Sequence, residues 1–163
     1  LRLEPGLVVA DVGCGTGYHA LKMAPLVGAE GRVLCVDIQQ EMLDLLVRRA
    51  AERKITNCEP IVGSSTSAKL PAKQVDLILL VDAYHEFSDP ESMLRSMRQS
   101  LAPGGVLALV EFRTEDDAVP IKADHKMSKA QIEKEMRANG FKLVRSYDKL
   151  PWQHLVFYGV DEE

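Results

Sequence analysis

The 163-residue chain lacks the features that mark membrane-spanning or secreted proteins. No apolar run approaches the ~18 residues that a bilayer-spanning helix needs, and no secretory signal peptide is visible. The chain begins at Leu1 rather than at Met, so we expect that an N-terminal segment with unknown content is missing. The length and the 46% hydrophobic and 27% charged fractions suit one globular domain. We therefore predict a single domain over residues 1–163, with no membrane span and a cytoplasmic location.

Cysteine is also scarce. Cys14, Cys35 and Cys58 are odd in number and scattered, and no C-x-x-C pair indicates zinc binding or a redox motif. We interpret all three as reduced thiols, which agrees with a cytoplasmic location. The acidic run at 115–117 is not placed like a magnesium site, so the sequence predicts no metal.

Basic residues are not in excess. The chain has 20 Lys and Arg against 24 Asp and Glu, for a net charge of −4. Domains dedicated to nucleic acids usually carry a basic face. The charge therefore argues mildly against a nucleic-acid partner.

Glycine, in contrast, is concentrated in one stretch. A short apolar run at 7–10 leads directly into Gly13, Gly15 and Gly17, and a helix is predicted to follow. Glycine can adopt a positive φ and lets the backbone approach a ligand, while the first turn of a helix offers free N–H groups. The stretch is typical of a nucleotide-binding turn.

The spacing of these glycines narrows the choice of ligand. The dinucleotide fingerprint is G-x-G-x-x-G/A, and Tyr18 occupies the place of its third glycine. The pattern that remains is D-x-G-x-G-x-G, which begins at Asp11.

Strands and helices are predicted to alternate along the chain. Pro25 is expected to bend the first helix or to end it at Ala24. The last two strands are joined through Leu150 and Pro151 with no room for a helix, so they must pair antiparallel. We predict a doubly wound, mostly parallel seven-stranded α/β sheet with an antiparallel last strand. The predicted strands are 7–10, 32–36, 61–62, 75–81, 106–110, 141–147 and 154–160, and the predicted helices are 18–27, 41–54, 90–101 and 129–139.

The glycine motif resembles the first motif of the class I S-adenosylmethionine-dependent methyltransferases. The resemblance covers nearly the whole chain and is strongest to a bacterial branch of mostly predicted small-molecule enzymes. It implies a Rossmann-like methyltransferase fold, S-adenosylmethionine as cofactor and methyl transfer to a small-molecule acceptor. The other stretches that carry it are Asp76 with its strand, Leu-Ala-Pro-Gly-Gly at 101–105, Val-Glu-Phe-Arg at 110–113, His-Lys-Met-Ser at 125–128 and Pro-Trp-Gln-His at 151–154.

The cofactor residues are expected at the carboxyl ends of the strands. Asp37 ends the second strand, where a carboxylate can accept hydrogen bonds from both ribose hydroxyls; the alternative is a helix N-cap. Ile38 would pack on the adenine or in the core. The resemblance implies that Thr66 and Ser67 stand where the family has acidic residues beside the adenine, and that Asp82 lies near the methionine amino group. The full predicted set is Asp11, Gly13, Cys14, Gly15, Gly17, Tyr18, Asp37, Ile38, Thr66, Ser67 and Asp82.

The catalytic candidates follow the fourth strand. Methyl transfer is an in-line displacement from a sulfonium, so an enzyme contributes mainly positioning and, where needed, a base. His85 can take a proton near neutral pH, with Glu86 or Asp82 orienting it, and Tyr84 is expected near the transferred methyl. The alternative is that His85 packs against the cofactor or caps the turn. His125 lies in the long loop at 113–127, which either lines the acceptor pocket or is solvated.

Two absences bear on the acceptor. No [DN]-P-P-[YF] sequence of amino-group methylases and no Pro-Cys nucleophile of cytosine methylases follows the fourth strand. A small-molecule acceptor with an oxygen, carbon or sulfur nucleophile fits this segment better.

Two other functions stay open: a module that binds the cofactor without catalysis, and a nicotinamide-dependent reductase, which would need a parallel sheet end. The acceptor itself and the oligomeric state stay open.

Overall fold

The computed structural model describes residues 1–162, which form one central sheet with helices on both faces. The strands are β1 (Val8–Val12), β2 (Arg32–Asp37), β3 (Cys58–Val62), β4 (Val75–Val81), β5 (Leu101–Arg113), β6 (Lys126–Met127), β7 (Phe141–Tyr147) and β8 (Gln153–Val160). The helices are α1 (Ala20–Val27), α2 (Gln40–Glu52), α3 (Pro90–Ser100) and α4 (Lys129–Ala138). No helix in this part of the chain is both long and apolar enough to cross a bilayer.

The strand order is β3-β2-β1-β4-β5-β8-β7. Strands β1 to β5 pair in parallel, and β8 runs antiparallel to both β5 and β7. This confirms the predicted doubly wound sheet with an antiparallel last strand. The reductase hypothesis required a parallel sheet end, so the direction of β8 removes its structural basis. The sheet order reverses between β1 and β4, which creates a crevice at their carboxyl ends.

The apolar run of β4 shows how the core is divided. Ile78 and Leu80 pack in one buried cluster, whereas Leu77 and Leu79 pack in the other. Successive strand residues point to opposite faces of a sheet, so a continuous apolar run supplies both faces. This arrangement leaves the polar residues that follow β4 at the rim of the sheet.

The predicted helix starts are confirmed by their caps. The Asp89 side chain accepts a hydrogen bond from the N–H of Ser92 at the start of α3, and Ser128 accepts one from the N–H of Gln131 at the start of α4. The first helix begins at Ala20 rather than at residue 18. It continues past Pro25 and ends at Val27, as predicted, rather than at Ala24.

The short strand β6 was not predicted. Its two residues pair in parallel with the end of β5, Lys126 opposite Phe112 and Met127 opposite Arg113. This pairing fixes the end of the long loop, where a 3-10 turn covers Ala123–His125. A second 3-10 turn, Tyr84–Glu86, follows β4. The two turns lie side by side, because His85 and His125 are hydrogen-bonded to each other.

Candidate functional site

A cleft opens at the carboxyl ends of β1, β2, β3 and β4, at the point where the strand order reverses. Open α/β sheets bind their ligands at this place. The lining residues are Val12, Gly13, Val36, Asp37, Ile38, Gln39, Gly63, Ser64, Ser65, Asp82, Ala83, Glu86, Phe87, Ser88 and Met93.

The glycine turn forms one wall of the cleft. The N–H groups of Gly13 and Cys14 both donate to the carbonyl of Val36, which ties the turn to β2. Gly13 has a φ of +78°, and a Cβ there would lie 2.7 Å from Cβ of Ala83. Gly15 also has a positive φ, +52°, but a Cβ there would meet open space. The chain therefore needs glycine at 13 for packing, whereas at 15 a Cβ would meet no neighbouring residue.

Asp37 lies between the turn and α2. One carboxylate oxygen accepts from the N–H of Gly15 at 2.9 Å, and the other accepts from the N–H of Gln39 at 2.9 Å. The carboxylate therefore holds both the glycine turn and the start of α2, and each oxygen keeps a lone pair for a ligand hydroxyl. Ile38 beside it lines the cleft with 64% of its surface exposed.

Asp11 stands behind the turn rather than in the cleft. It is 2% exposed, and its carboxylate accepts a hydrogen bond from the N–H of Ala20 at 3.0 Å. Burial raises the pKa of Asp11 to about 7; the bond from Ala20 opposes the shift, and the charge of Asp37 adds to it. Asp11 thus ties β1 to the first turn of α1 and does not line the cleft.

Asp82 closes the other end of the cleft. Its backbone is in the left-handed region, at φ +49°, and Oδ2 accepts from Nε2 of Gln153 at 2.8 Å. Oδ1 is buried and has no hydrogen-bond partner among the residues that the structure describes. Burial raises the pKa of Asp82, while the bond from Gln153 and the nearby His85 oppose the shift. A buried acceptor without a partner is costly, so this oxygen is suited to a donor from a bound ligand.

The loop after β3 differs from prediction in register. Ser64 and Ser65 line the cleft, whereas Thr66 and Ser67 do not. The N–H groups of Thr66 and Ser67 point back to Oγ of Ser64, at 3.4 and 3.1 Å. The tight turn therefore presents the two earlier residues, and the predicted adenine contacts of Thr66 and Ser67 are not supported by the geometry.

Four other predicted cofactor residues also lie outside the lining, among them Gly15, whose N–H bonds to Asp37 in the lining. The Tyr18 ring is 64% exposed, with Nζ of Lys22 3.9 Å from its centroid. The Cys14 thiol is buried, and its Sγ lies 3.6 Å from the carbonyl oxygen of Gly15. At Gly17 a Cβ would lie 2.8 Å from Cγ of Leu46, so this glycine permits packing against α2.

Tyr84, a predicted catalytic residue, lies at the start of the 3-10 turn that follows β4. Its side chain is 2% exposed and points into the core, where the hydroxyl donates to Oε2 of Glu135 at 2.6 Å. Burial raises the pKa of Tyr84, and the neighbouring Glu135 raises it further. The ring packs edge-on against Phe87. This burial does not favour the predicted place of Tyr84 beside a transferred methyl group, which stays a prediction.

His85 is held by Glu111, a residue to which the sequence analysis gave no role. Glu111 is fully buried, and its Oε2 lies 2.7 Å from Nδ1 of His85. Its Oε1 accepts from the N–H groups of Tyr84 and His85 at 2.8 and 3.3 Å. Burial raises the pKa of Glu111, and the hydrogen bonds from His85 oppose the shift. In the neutral tautomer that donates Nδ1–H to Glu111, the lone pair of His85 is on Nε2.

His125 meets that lone pair. Its Nδ1 lies 3.0 Å from Nε2 of His85, and the rings are perpendicular. Glu86 brings a carboxylate oxygen to 4.0 Å from the same Nε2 and also lines the cleft. We name His85, Glu86 and His125 the histidine wall; its side chains are 8%, 66% and 45% exposed.

Comparison with known proteins places the chain in a family. Residues 3–156 match the profile of a family described as "Methyltransferase domain". The ubiquinone/menaquinone biosynthesis C-methyltransferase UbiE of Shewanella frigidimarina is 33% identical over 112 residues, which cover 68% of this chain and 45% of that protein. The chain thus spans less than half the length of the curated relatives it matches.

Solved structures show the same fold. An S-adenosylmethionine-dependent methyltransferase from Aquifex aeolicus superposes with a TM-score of 0.89 at 23% identity, covering 96% of this chain and 83% of that one. The [4+2]-cyclase SpnF superposes with a TM-score of 0.76 at 24% identity, covering 90% of this chain and 56% of that one. On the profile match and the UbiE relatives, the chain belongs to the class I S-adenosylmethionine-dependent methyltransferases.

Proposed function

We propose that the chain binds S-adenosylmethionine in the cleft and transfers its methyl group to a small-molecule acceptor. The observation that carries the proposal is Oδ1 of Asp82, which lines the cleft with Asp37 and is buried with no hydrogen-bond partner in residues 1–162. The methionine end of the cofactor carries an ammonium group, and an unpaired buried carboxylate oxygen is its natural partner.

The rest of the cofactor fits the chemistry of the lining. Asp37 keeps a free lone pair on each oxygen for the ribose hydroxyls, and the exposed side chain of Ile38 offers an apolar surface to the adenine. Ser64 and Ser65 offer hydroxyls near the same end. The ribose and the methionine would then cross the open space above Gly15 toward Asp82.

The acceptor is proposed to bind at the histidine wall. Only 8% of the His85 side chain is exposed and its Nε2 is bonded to His125, so the more exposed His125 and Glu86 would meet the acceptor. In the reaction the acceptor forms a bond to the methyl carbon while the carbon–sulfur bond breaks and its electron pair stays on sulfur. The proton of the acceptor passes to the histidine wall, so the base is the pair of histidines rather than His85 alone.

The acceptor class follows from chemistry at the end of β4. The wall is a pair of imidazoles with a carboxylate rather than the [DN]-P-P-[YF] sequence of amino-group methylases. The UbiE relatives are named as C-methyltransferases of quinone biosynthesis. We propose a small molecule with an oxygen, carbon or sulfur nucleophile that loses a proton on methylation.

The test is a methyl-transfer assay with an unassigned acceptor. The protein is incubated with methyl-labelled S-adenosylmethionine and a small-molecule extract, and S-adenosylhomocysteine and labelled product are measured. The proposal predicts that both appear only when protein and extract are present, and that H125A lowers the rate. Cofactor binding without S-adenosylhomocysteine formation would contradict it and favour the binding module.

A further inference from the structure

The histidine wall has an unusual arrangement of lone pairs. Glu111 takes the Nδ1–H of His85, so the lone pair on Nε2 points at Nδ1 of His125, 3.0 Å away. The carboxylate of Glu86 faces the same point, and the three candidate donor atoms all lie within 4.8 Å of one another. The two ring nitrogens share one hydrogen bond, so a single proton lies between them.

We propose that the histidine wall binds one divalent transition-metal ion of the zinc type, through Nε2 of His85, Nδ1 of His125 and a carboxylate oxygen of Glu86. Two imidazoles and a carboxylate with an open fourth position are a donor set of catalytic zinc sites. Magnesium and calcium prefer oxygen ligands, so two nitrogen donors select against them.

The distances suit such an ion with small adjustments. Two nitrogen ligands of a tetrahedral zinc ion lie roughly 3.3 Å apart, given metal–nitrogen bonds of about 2.0–2.1 Å. The 3.0 Å separation of the two ring nitrogens must open by only a few tenths of an ångström. Glu86 is mostly exposed, so its side chain can close the 4.0 Å gap to His85. In the tautomer that binds the ion, His125 carries its proton on Nε2 rather than on Nδ1.

Carboxylates stand behind both histidines. Metal-bound histidines commonly donate their second N–H to a carboxylate, which fixes the ring orientation. Glu111 does this for His85 at 2.7 Å, and Asp124 lies 4.0 Å from Nε2 of His125, which carries the proton in the tautomer that binds the ion. Glu111 is fully buried and is therefore built into the site rather than available by chance.

The open position of the ion would face the acceptor. This part of the inference rests on the proposed function: the ion would bind the oxygen or sulfur of the acceptor and favour its deprotonated form. With the imidazole lone pairs bound to the ion, the acceptor's proton would pass to water, whereas without the ion it passes to the histidines. The ion-binding site itself does not depend on methyl transfer.

The site is tested without cofactor or acceptor. Protein stripped with a chelator and dialysed is titrated with Zn²⁺ by calorimetry and with Co²⁺ by visible absorption. The proposal predicts one equivalent of bound metal and at least ~10-fold weaker zinc binding in H125A and in E86Q, since even outer-shell losses cost 10–100-fold. H19A is the control, because His19 lies at the start of α1 outside the histidine wall.

The proposal would be overturned if the protein bound no stoichiometric zinc, or if H125A and E86Q bound zinc as tightly as the parent. A cobalt–thiolate absorption band would also overturn it, because it would show that the ion binds to cysteine. Because no methyl donor is present, a failed titration removes the metal site and leaves the proposed methyl transfer untouched. Normal zinc binding by a protein that transfers no methyl group would support the metal site and contradict the proposed methyl transfer.

Discussion

At the scale of single residues, the two carboxylates at the ends of the cleft differ in what their neighbours leave free. Asp37 is partly buried and has both oxygens bonded to backbone N–H groups. Asp82 has one oxygen bonded to Gln153 and one buried without a partner in residues 1–162. Asp37 is therefore suited to accept further hydrogen bonds from ligand hydroxyls. Asp82 is suited to bind a cationic group through its oxygen that has no partner.

The role of Asp82 predicts a selective loss of affinity. D82N is expected to weaken S-adenosylhomocysteine by about tenfold or more, since hydrogen bonds to charged groups contribute ~1.5–3 kcal/mol. Methylthioadenosine lacks the amino-acid portion and should bind equally to both proteins. Asparagine tolerates the positive φ of this position, so the fold is preserved. Titration calorimetry with the two ligands gives the answer, and an equal loss for both would contradict this placement of the ammonium.

The role of Asp37 predicts a general loss. D37A should weaken the binding of both S-adenosylhomocysteine and methylthioadenosine by ~1.5–3 kcal/mol, because both ligands contain the ribose. Asp44 provides the control, since it lies on the exposed side of α2 and its carboxylate bonds only the side chain of Gln40 and not the cleft. D44A should bind as the parent does. Unchanged calorimetric affinity in D37A would remove Asp37 from the site.

At the scale of elements, the glycine turn combines two requirements that the sequence pattern does not separate. A side chain at Gly13 would collide with Ala83, whereas one at Gly15 would enter open space. Both have a positive φ, which costs a residue with a Cβ about 1–3 kcal/mol. Packing therefore requires glycine at 13 but not at 15.

This separation predicts different behaviour of two variants. G13A should lower the free energy of unfolding by more than backbone strain alone, because Ala83 must also move. G15A should lower it by only about 1–3 kcal/mol yet weaken S-adenosylhomocysteine at least tenfold, since its methyl group occupies the ligand's path. Urea unfolding and calorimetry on each variant provide the comparison. A G15A protein that binds as tightly as the parent would refute the path.

Strands and helices with a clear hydrophobic pattern could be predicted from the sequence. The turns that carry the candidate site could not. The apolar run of β4 and the helix starts at residues 90 and 129 were predicted correctly. The segment Tyr84–Glu86 is a 3-10 turn, in which successive side chains point about 120° apart. Tyr84 therefore faces the core, His85 faces the neighbouring turn and Glu86 faces the cleft. So short a segment has no periodic pattern from which these directions could be predicted.

The partners of His85 were hidden for the same kind of reason. Glu111 lies in an apolar strand, and its burial depends on the distant turn that it bonds. His125 reaches the site only because the two-residue strand β6 pairs with the end of β5. Two residues are too few to show a periodic pattern, so the sequence predicted an irregular loop over 113–127.

At the scale of the whole molecule, Asp11 links folding to pH. The pKa of Asp11 is about 7 in the folded chain, against an ordinary value of 3.8. Between these values the folded state binds more protons than the unfolded state. The contribution of Asp11 to the free energy of unfolding is therefore fully present below about pH 4 and is lost as the pH rises to about 7.

D11N isolates this contribution, because asparagine can still accept the bond from Ala20 but does not titrate. The free energy of unfolding of D11N relative to the parent should rise between pH 4 and 7, by up to about 4 kcal/mol, and level off above. Denaturant unfolding at several pH values measures the difference, in which the other titrating groups largely cancel. Parallel curves for the two proteins would show that Asp11 titrates normally in the folded chain.

The most direct measurement is isothermal titration of the protein with S-adenosylhomocysteine and NADH side by side, each repeated with D82N. The account predicts that S-adenosylhomocysteine binds one to one, that D82N weakens it about tenfold or more, and that NADH does not bind. Binding of NADH, or no binding of S-adenosylhomocysteine by the folded protein, would contradict the assignment of the cleft to the methyl donor.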